Sequence, residues 1–410
     1  MRKLTIHDPV LISQSTTEPI LWGAYQFPLV RRGEKGELYV RFSAIRDSRE
    51  TYGQEDANPI YRSLDGGETW ALYRHEEAWI EASPALPNGD HIQFAWHPII
   101  RDLPPLPPVD DNRRRCKAVK DSGGAVYTVD ELLPVLGDRV AKNFKARRIK
   151  AGTHEIVEEL CPVRWDKMPA TLHGDYVNRV FPTNEWRADK NGVLWMPVAT
   201  CAYVAPDGTL GSAYMCTHLL RSDDMGHSWD YVSTIVYDDT YHTPDTAEVE
   251  GFNESALEIL DDGSFLMFIR SGSLTPFRTD GVPYPIPKLY IARSYDQGKT
   301  WASVEPFADY GIRPYTIRLG CGTYMLTTGR PGVCIYTCDD PTGKEWSDRI
   351  PILAVPEEDK YKAYFEYSCS NNGLCAYDDH TAFISYSDFR HTAPNGERAK
   401  SIFIRKITVE

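Results

Sequence analysis

The residues whose types and spacing are most regular in this chain are an Asp, a Gly, a hydroxyl residue and a Trp. They recur as Ser63-Leu64-Asp65-Gly66-Gly67-Glu68-Thr69-Trp70, Ser222-Asp223-Asp224-Met225-Gly226-His227-Ser228-Trp229 and Ser294-Tyr295-Asp296-Gln297-Gly298-Lys299-Thr300-Trp301. All three read S-x-D-x-G-x-[ST]-W. A fourth copy, Cys338 to Trp346, keeps the Asp, Gly and Trp with one residue inserted. The carboxylate at this spacing can accept N–H bonds from its own turn. The Gly admits a backbone with φ > 0, and the Trp can pack the tip onto a sheet. This chemistry stabilises a turn and does not act on a ligand.

Other reactive types are sparse. His173-Gly174-Asp175 and His242-Thr243-Pro244-Asp245 are polar clusters expected in loops, and Arg113-Arg114-Arg115 is a basic knot expected in a solvated one. No His/Asp/Glu spacing reads as a metal site, and neither a G-x-S-x-G elbow nor a phosphate-binding glycine loop occurs. No cofactor is expected. The formal net charge of -13 argues against nucleic-acid or anionic-membrane partners. The first residues carry no apolar leader, and no run approaches the roughly 20 apolar residues of a membrane span. Nine scattered cysteines without a C-x-x-C pair fit a reduced, cytoplasmic protein.

The elements that must carry these turns are short strands. Phe27–Val30, Leu38–Ser43, Val193–Ala199, Phe265–Arg270, Val333–Tyr336 and Thr381–Tyr386 are apolar runs bounded by turn residues. The later boxes recur about 45 to 72 residues apart, the span of a four-stranded blade with its loops. Six blades of roughly 65 to 70 residues account for the length. The expectation is an all-β, six-bladed β-propeller forming a single domain over residues 1–410, with an irregular insert at about 101–165. Within that insert, Thr128 to Leu136 is expected to form a short helix capped at Thr128 or Asp130.

With these boxes the chain resembles the sialidase (neuraminidase) superfamily, from about Tyr25 to Tyr386. Three further stretches carry the resemblance. Asn253 to Arg270 is similar to the segment in which a Glu opens one strand and an Arg closes its hairpin partner. Gly329-Arg330-Pro331-Gly332-Val333 is similar to the segment of another triad arginine, and Phe365-Glu366-Tyr367-Ser368 to the late Tyr-Ser segment.

The resemblance implies Tyr367 as nucleophile, Glu254 as its base, and Arg270 and Arg330 as carboxylate ligands. A phenol needs such a base because its ordinary pKa lies near 10, and an arginine fork suits a carboxylate. The chain departs from the pattern at Gln26, in Tyr25-Gln26-Phe27-Pro28, where the first arginine would stand. The acid/base would come from the loop after Arg46, with Asp47, Glu50 and Asp56 all within reach; Arg46 itself is a further candidate substrate contact. The implied activity is an exo-acting glycoside hydrolase removing a terminal acidic sugar from a glycan, sialic acid or a relative. The alternatives are a glycosidase or lyase of the same fold acting on a non-sialic sugar, and a non-catalytic carbohydrate-binding propeller.

Overall fold

A computed structural model describes residues 2–15, 24–45, 58–95, 99–110, 124–153, 155–183, 185–200, 202–241, 249–273, 288–302, 304–359 and 364–410. The chain is predominantly β, as its strand pattern requires. Three sheets share one plan of four antiparallel strands in chain order. The first joins Gln26–Arg32, Leu38–Ser43, Ile60–Ser63 and Ala71–Tyr73. The second joins Val249–Ile259, Phe265–Ser273, Leu289–Ser294 and Glu305–Ala308. The third joins Ile312–Arg318, Tyr324–Gly329, Val333–Cys338 and Ile350–Leu353. A related sheet runs through Leu194–Thr200, Cys216–Ser222 and Trp229–Ile235.

Central strands are continuous apolar runs because both of their faces are covered. Tyr324–Gly329 and Val333–Cys338 are buried at every position. The first strands of successive sheets lie against one another: Leu194–Thr200 on Val249–Ile259, that strand on Ile312–Arg318, and Ile312–Arg318 on Asn372–Ala376, which meets Gln26–Arg32. The last sheet contains both ends of the chain. Leu4–Ile6 and Val10–Gln14 pair with Arg398–Val409, and the Glu410 N–H donates to the Lys3 carbonyl at 2.9 Å.

The repeated boxes form the turns their chemistry implies. Ser294 Oγ donates to Asp296 at 2.8 Å, the Gly298 N–H donates to Ser294 Oγ at 2.8 Å, and the Thr300 N–H donates to Asp296 at 2.9 Å. The same bonds occur around Asp65 and Asp224. The structure adds that the turns at Gly67 and Gly298 are wedged against another sheet. A Cβ on Gly298, where φ is +76°, would lie 2.1 Å from Leu219, and one on Gly67 would lie 2.9 Å from Phe383. Trp301 reaches across to donate its indole N–H to Ser233 at 3.0 Å.

The segment expected to be irregular is largely ordered. It holds Val126–Thr128, which joins a three-stranded sheet with Pro169–His173 and Tyr176–Arg179, and Asn143–Ile149 and Ile156–Arg164, which with His91–Phe94 extend the sheet of Trp229–Ile235; its longest described stretch without helix or strand is 101–110. The proline run at 103–108 signals extended chain, but the strands beyond it were masked by charges at solvent-facing positions. The helix forms at Val129–Leu136 with Thr128 as N-cap in a capping box with Glu131. No helix among the described residues is long and apolar enough to cross a membrane.

Candidate functional site

Glu254 and Arg270 sit opposite one another in a hairpin, as the resemblance implied. The register of Val249–Ile259 against Phe265–Ser273 shifts between Phe252 and Ser255, so the chain bulges at Glu254. There the Arg270 guanidinium donates to the Glu254 carboxylate at 2.6 Å. A second contact comes from the next sheet, where the Arg313 backbone N–H donates to the same Glu254 oxygen at 3.0 Å. Arg313 has φ +42°, a left-handed conformation that residues with a Cβ adopt rarely. Its guanidinium turns the other way and donates to Glu185 at 2.7 Å.

One arginine thus spans two carboxylates. The Glu185 side chain is only 7% exposed, whereas Glu254 keeps 27% of its side-chain surface open. Their electrostatics diverge for that reason. Burial pushes the Glu185 carboxyl up, against the pull of Arg313 and Arg187, and the charge of Glu254 adds to the rise. Burial would raise Glu254 too, but Arg270, Arg313 and Arg330 together outweigh it and hold this carboxyl below its ordinary value. Glu250, also raised by burial, accepts a bond from Asn253 at 2.9 Å.

Arg330, at the tight connection between Tyr324–Gly329 and Val333–Cys338, is buried with φ +60°. Its charge favours the ionised forms of both Glu250 and Glu254. Gln26 is fully buried, and neither atom of its amide has a partner among the described residues. The adjacent Phe27 N–H donates to the Cys369 thiol at 3.4 Å.

Tyr367 is placed differently from its expected role beside Glu254. It ends a short helix, Tyr364–Tyr367, and its hydroxyl donates to Asp359, with the Arg390 guanidinium 3.5 Å above its ring. Burial and the Asp359 carboxylate raise its pKa, the reverse of activation. Coiling of this segment turns the phenol toward residue 359. Arg46, Asp47, Glu50 and Asp56 lie outside the described residues, as do His242–Asp245 and Arg113–Arg115. His173 is not in a solvated loop: it ends the strand Pro169–His173, buried and stacked 5.3 Å from Tyr176. Among the described residues no group of three or more His, Cys, Asp or Glu could hold a metal ion.

Sequence reasoning missed Glu185 and Arg313. Both stand outside any repeated pattern, and they meet only because separate sheets bring them together. The faint signal was Gly311-Ile312-Arg313-Pro314, in which an arginine between a glycine and a proline opens a strand.

No protein-family model matches the chain, and no curated protein matches it either. Solved structures do. A protein of unknown function from Dyadobacter fermentans aligns at TM-score 0.57 and 18% identity, covering 99% of this chain and 99% of its own. The Penicillium chrysogenum alpha-L-arabinanase aligns at TM-score 0.51 and 14% identity, with 98% of each chain covered. The Fusarium graminearum alpha-L-arabinofuranosidase Arb93A aligns at TM-score 0.51 and 10% identity, with 97% of each covered. Sialidases are also among the matches. At these identities the likeness is one of fold.

Proposed function

We propose that this chain is a glycoside hydrolase built on a single six-bladed β-propeller, residues 1–410, with its site where Glu254, Glu185 and Arg313 meet. Support for the blade count comes from the succession of four-stranded sheets whose first strands touch in order, and from the last sheet holding both chain ends. The strands of residues 91–179, three in a sheet of their own and three joined edge-on to Trp229–Ile235, would supply the remaining blade.

The observation that carries the activity is a pair of carboxyls displaced in opposite directions and joined through one arginine. Glycoside hydrolysis commonly needs one protonated carboxyl to give a proton to the leaving oxygen. It also needs one ionised carboxylate to act as nucleophile or to activate water. Divergent environments identify which is which. Glu185, raised by burial, is the acid, and Glu254, kept ionised by Arg270, Arg313 and Arg330, is the base or nucleophile. Arg270 and Arg313 are engaged with these carboxylates, and Gln26 is neutral where a third cation would stand. That arrangement favours a neutral sugar over an acidic one. The substrates named for two of the similar structures make an α-L-arabinofuranoside the first glycan to test.

A second reading, an acidic-sugar hydrolase of sialidase type with Tyr367 as nucleophile, is favoured by one observation. Arg330 and Arg270 both bear on Glu254, as two arms of a carboxylate clamp would. Hydrolysis of 4-nitrophenyl α-L-arabinofuranoside and 4-methylumbelliferyl sialic acid by the chain and its E185Q, E254Q and Y367F variants separates the two. The first reading requires turnover of the arabinoside, lost in both Glu variants and kept in Y367F. Turnover of the sialoside alone, lost in Y367F, would establish the second.

A further inference from the structure

Arg313 makes two contacts that are chemically unlike. Its backbone N–H serves Glu254 at 3.0 Å and its guanidinium serves Glu185 at 2.7 Å. The backbone at this residue is left-handed, φ +42°, with its N–H on one carboxylate and its side chain on the other. An arginine at positive φ is a strained choice where glycine would be relaxed. Strain of this kind persists where surrounding structure imposes it, and it concentrates at functional sites. The register of Ile312–Arg318 against Tyr324–Gly329 shifts between Ile312 and Tyr315, so the irregularity at Arg313 is built into the sheet.

We propose that Arg313 is a positioning residue that ties Glu185 and Glu254 into one unit, orienting Glu254 through its backbone and setting the charge around Glu185 through its side chain. This rests on the assignment of those two carboxyls as the reacting pair. The groups facing the pair are all nearby. Glu185 faces Arg313, Arg187, Tyr315 and Glu254, while Glu254 faces Arg270, Arg313, Arg330 and Glu250. Arg187 has other commitments, donating to the Thr316 carbonyl at 2.6 Å and lying 3.7 Å from Glu258. Arg270 is directed at Glu254. Arg313 therefore supplies the direct hydrogen bond to Glu185 while its charge lowers both carboxyls.

The sign of the effect follows. Removing the guanidinium withdraws a cation that favours both ionised forms, so both carboxyls must titrate at higher pH. Arg313→Gly is the informative variant because it keeps the N–H to Glu254 and relaxes the positive φ. Arg313→Gln keeps a polar side chain without charge, and Arg313→Lys keeps the charge.

The test is a carbon-13 NMR titration of the full chain labelled at glutamate carboxyl carbons, with the two resonances assigned from E185Q and E254Q. In R313G and R313Q both resonances should titrate higher than in the parent, Glu185 by about one pH unit or more, and R313K should return both toward the parent. Unmoved titrations in a folded R313G or R313Q would overturn the proposal. So would an R313K profile no closer to the parent than that of R313Q. The pH profile of arabinoside hydrolysis is a second readout: in R313G it should move to higher pH rather than fall in place. Because the NMR titration needs no turnover, it tests Arg313 independently. Full activity in E185Q or E254Q would sink the glycosidase reading alone.

Discussion

At the scale of single residues, the account turns on carboxyls in unlike surroundings. Glu185 is nearly closed off and Glu254 is partly open but surrounded by arginines. Replacing either with Gln should lower kcat/KM by about 10²- to 10⁴-fold, the usual range for a general acid or base. The pH profile should be bell-shaped. Glu254, displaced downward, loses its ionised form only as pH falls through its depressed pKa, which sets the acid limb. Glu185, displaced upward, loses its proton as pH rises through its elevated pKa, which sets the basic limb. A profile sigmoid on one side only would show that one of the two does not act. Glu254 and Arg270 were legible through the resemblance of their hairpin segment, in which neighbouring strands bring such residues opposite one another. Glu185 and Arg313 were not, since their contact is a side-chain event between sheets with no local periodicity. The bond from Tyr367 to Asp359 was not legible, because a Tyr-Ser pair before a strand says nothing about whether the preceding turn coils. Here it does, and the hydroxyl goes to Asp359.

At the scale of elements, the repeated turn is the part sequence describes best. Its Asp, Ser and Gly make a closed set of bonds that any chain with this spacing can form. What spacing could not show is that the turns are also contacts between sheets. Gly298 sits against Leu219, and Gly343 would place a Cβ 2.6 Å from Leu266. Gly298→Ala should therefore destabilise by about 1–3 kcal/mol from the backbone conformation alone, with the clash adding to it. Urea titration measures this, and an unchanged midpoint would contradict the wedge. The turn carboxylates also predict an acid sensitivity. The hydroxyl and backbone donors of Thr300 and Thr342 hold Asp296 and Asp340 down to about 2, from an ordinary 3.8. A carboxyl whose folded pKa is depressed gives stability above its unfolded pKa and loses it as pH falls through the folded one. Melting temperature should drop between about pH 4 and pH 2, and less steeply in Asp296→Asn than in the parent.

At the scale of the whole molecule, sheets succeed one another in chain order and the two ends meet in the last of them. Leu4–Ile6 and Val10–Gln14 complete the sheet whose other strands come from residues 372–409. Deleting residues 2–14 should expose the edge of Arg398–Val409 and lower the melting temperature of the whole chain. Loss of a separate early transition only would argue that the closure is local. The overall plan was readable because apolar runs and turns repeat at a regular interval. The order within residues 126–164 was not, because strands such as Ile156–Arg164 break the two-residue alternation with adjacent charges at Glu158 and Glu159, and Leu160 lies 60% exposed. This scaffold brings Glu185 from one sheet, Glu254 from the next and Arg313 from the one after to a single point. The most direct measurement of that claim is kcat/KM on 4-nitrophenyl α-L-arabinofuranoside for the parent chain, E185Q, E254Q and Y367F. The account predicts turnover by the parent and by Y367F, with loss in both glutamate variants. Turnover that survives in E254Q, or that is lost in Y367F alone, would contradict it.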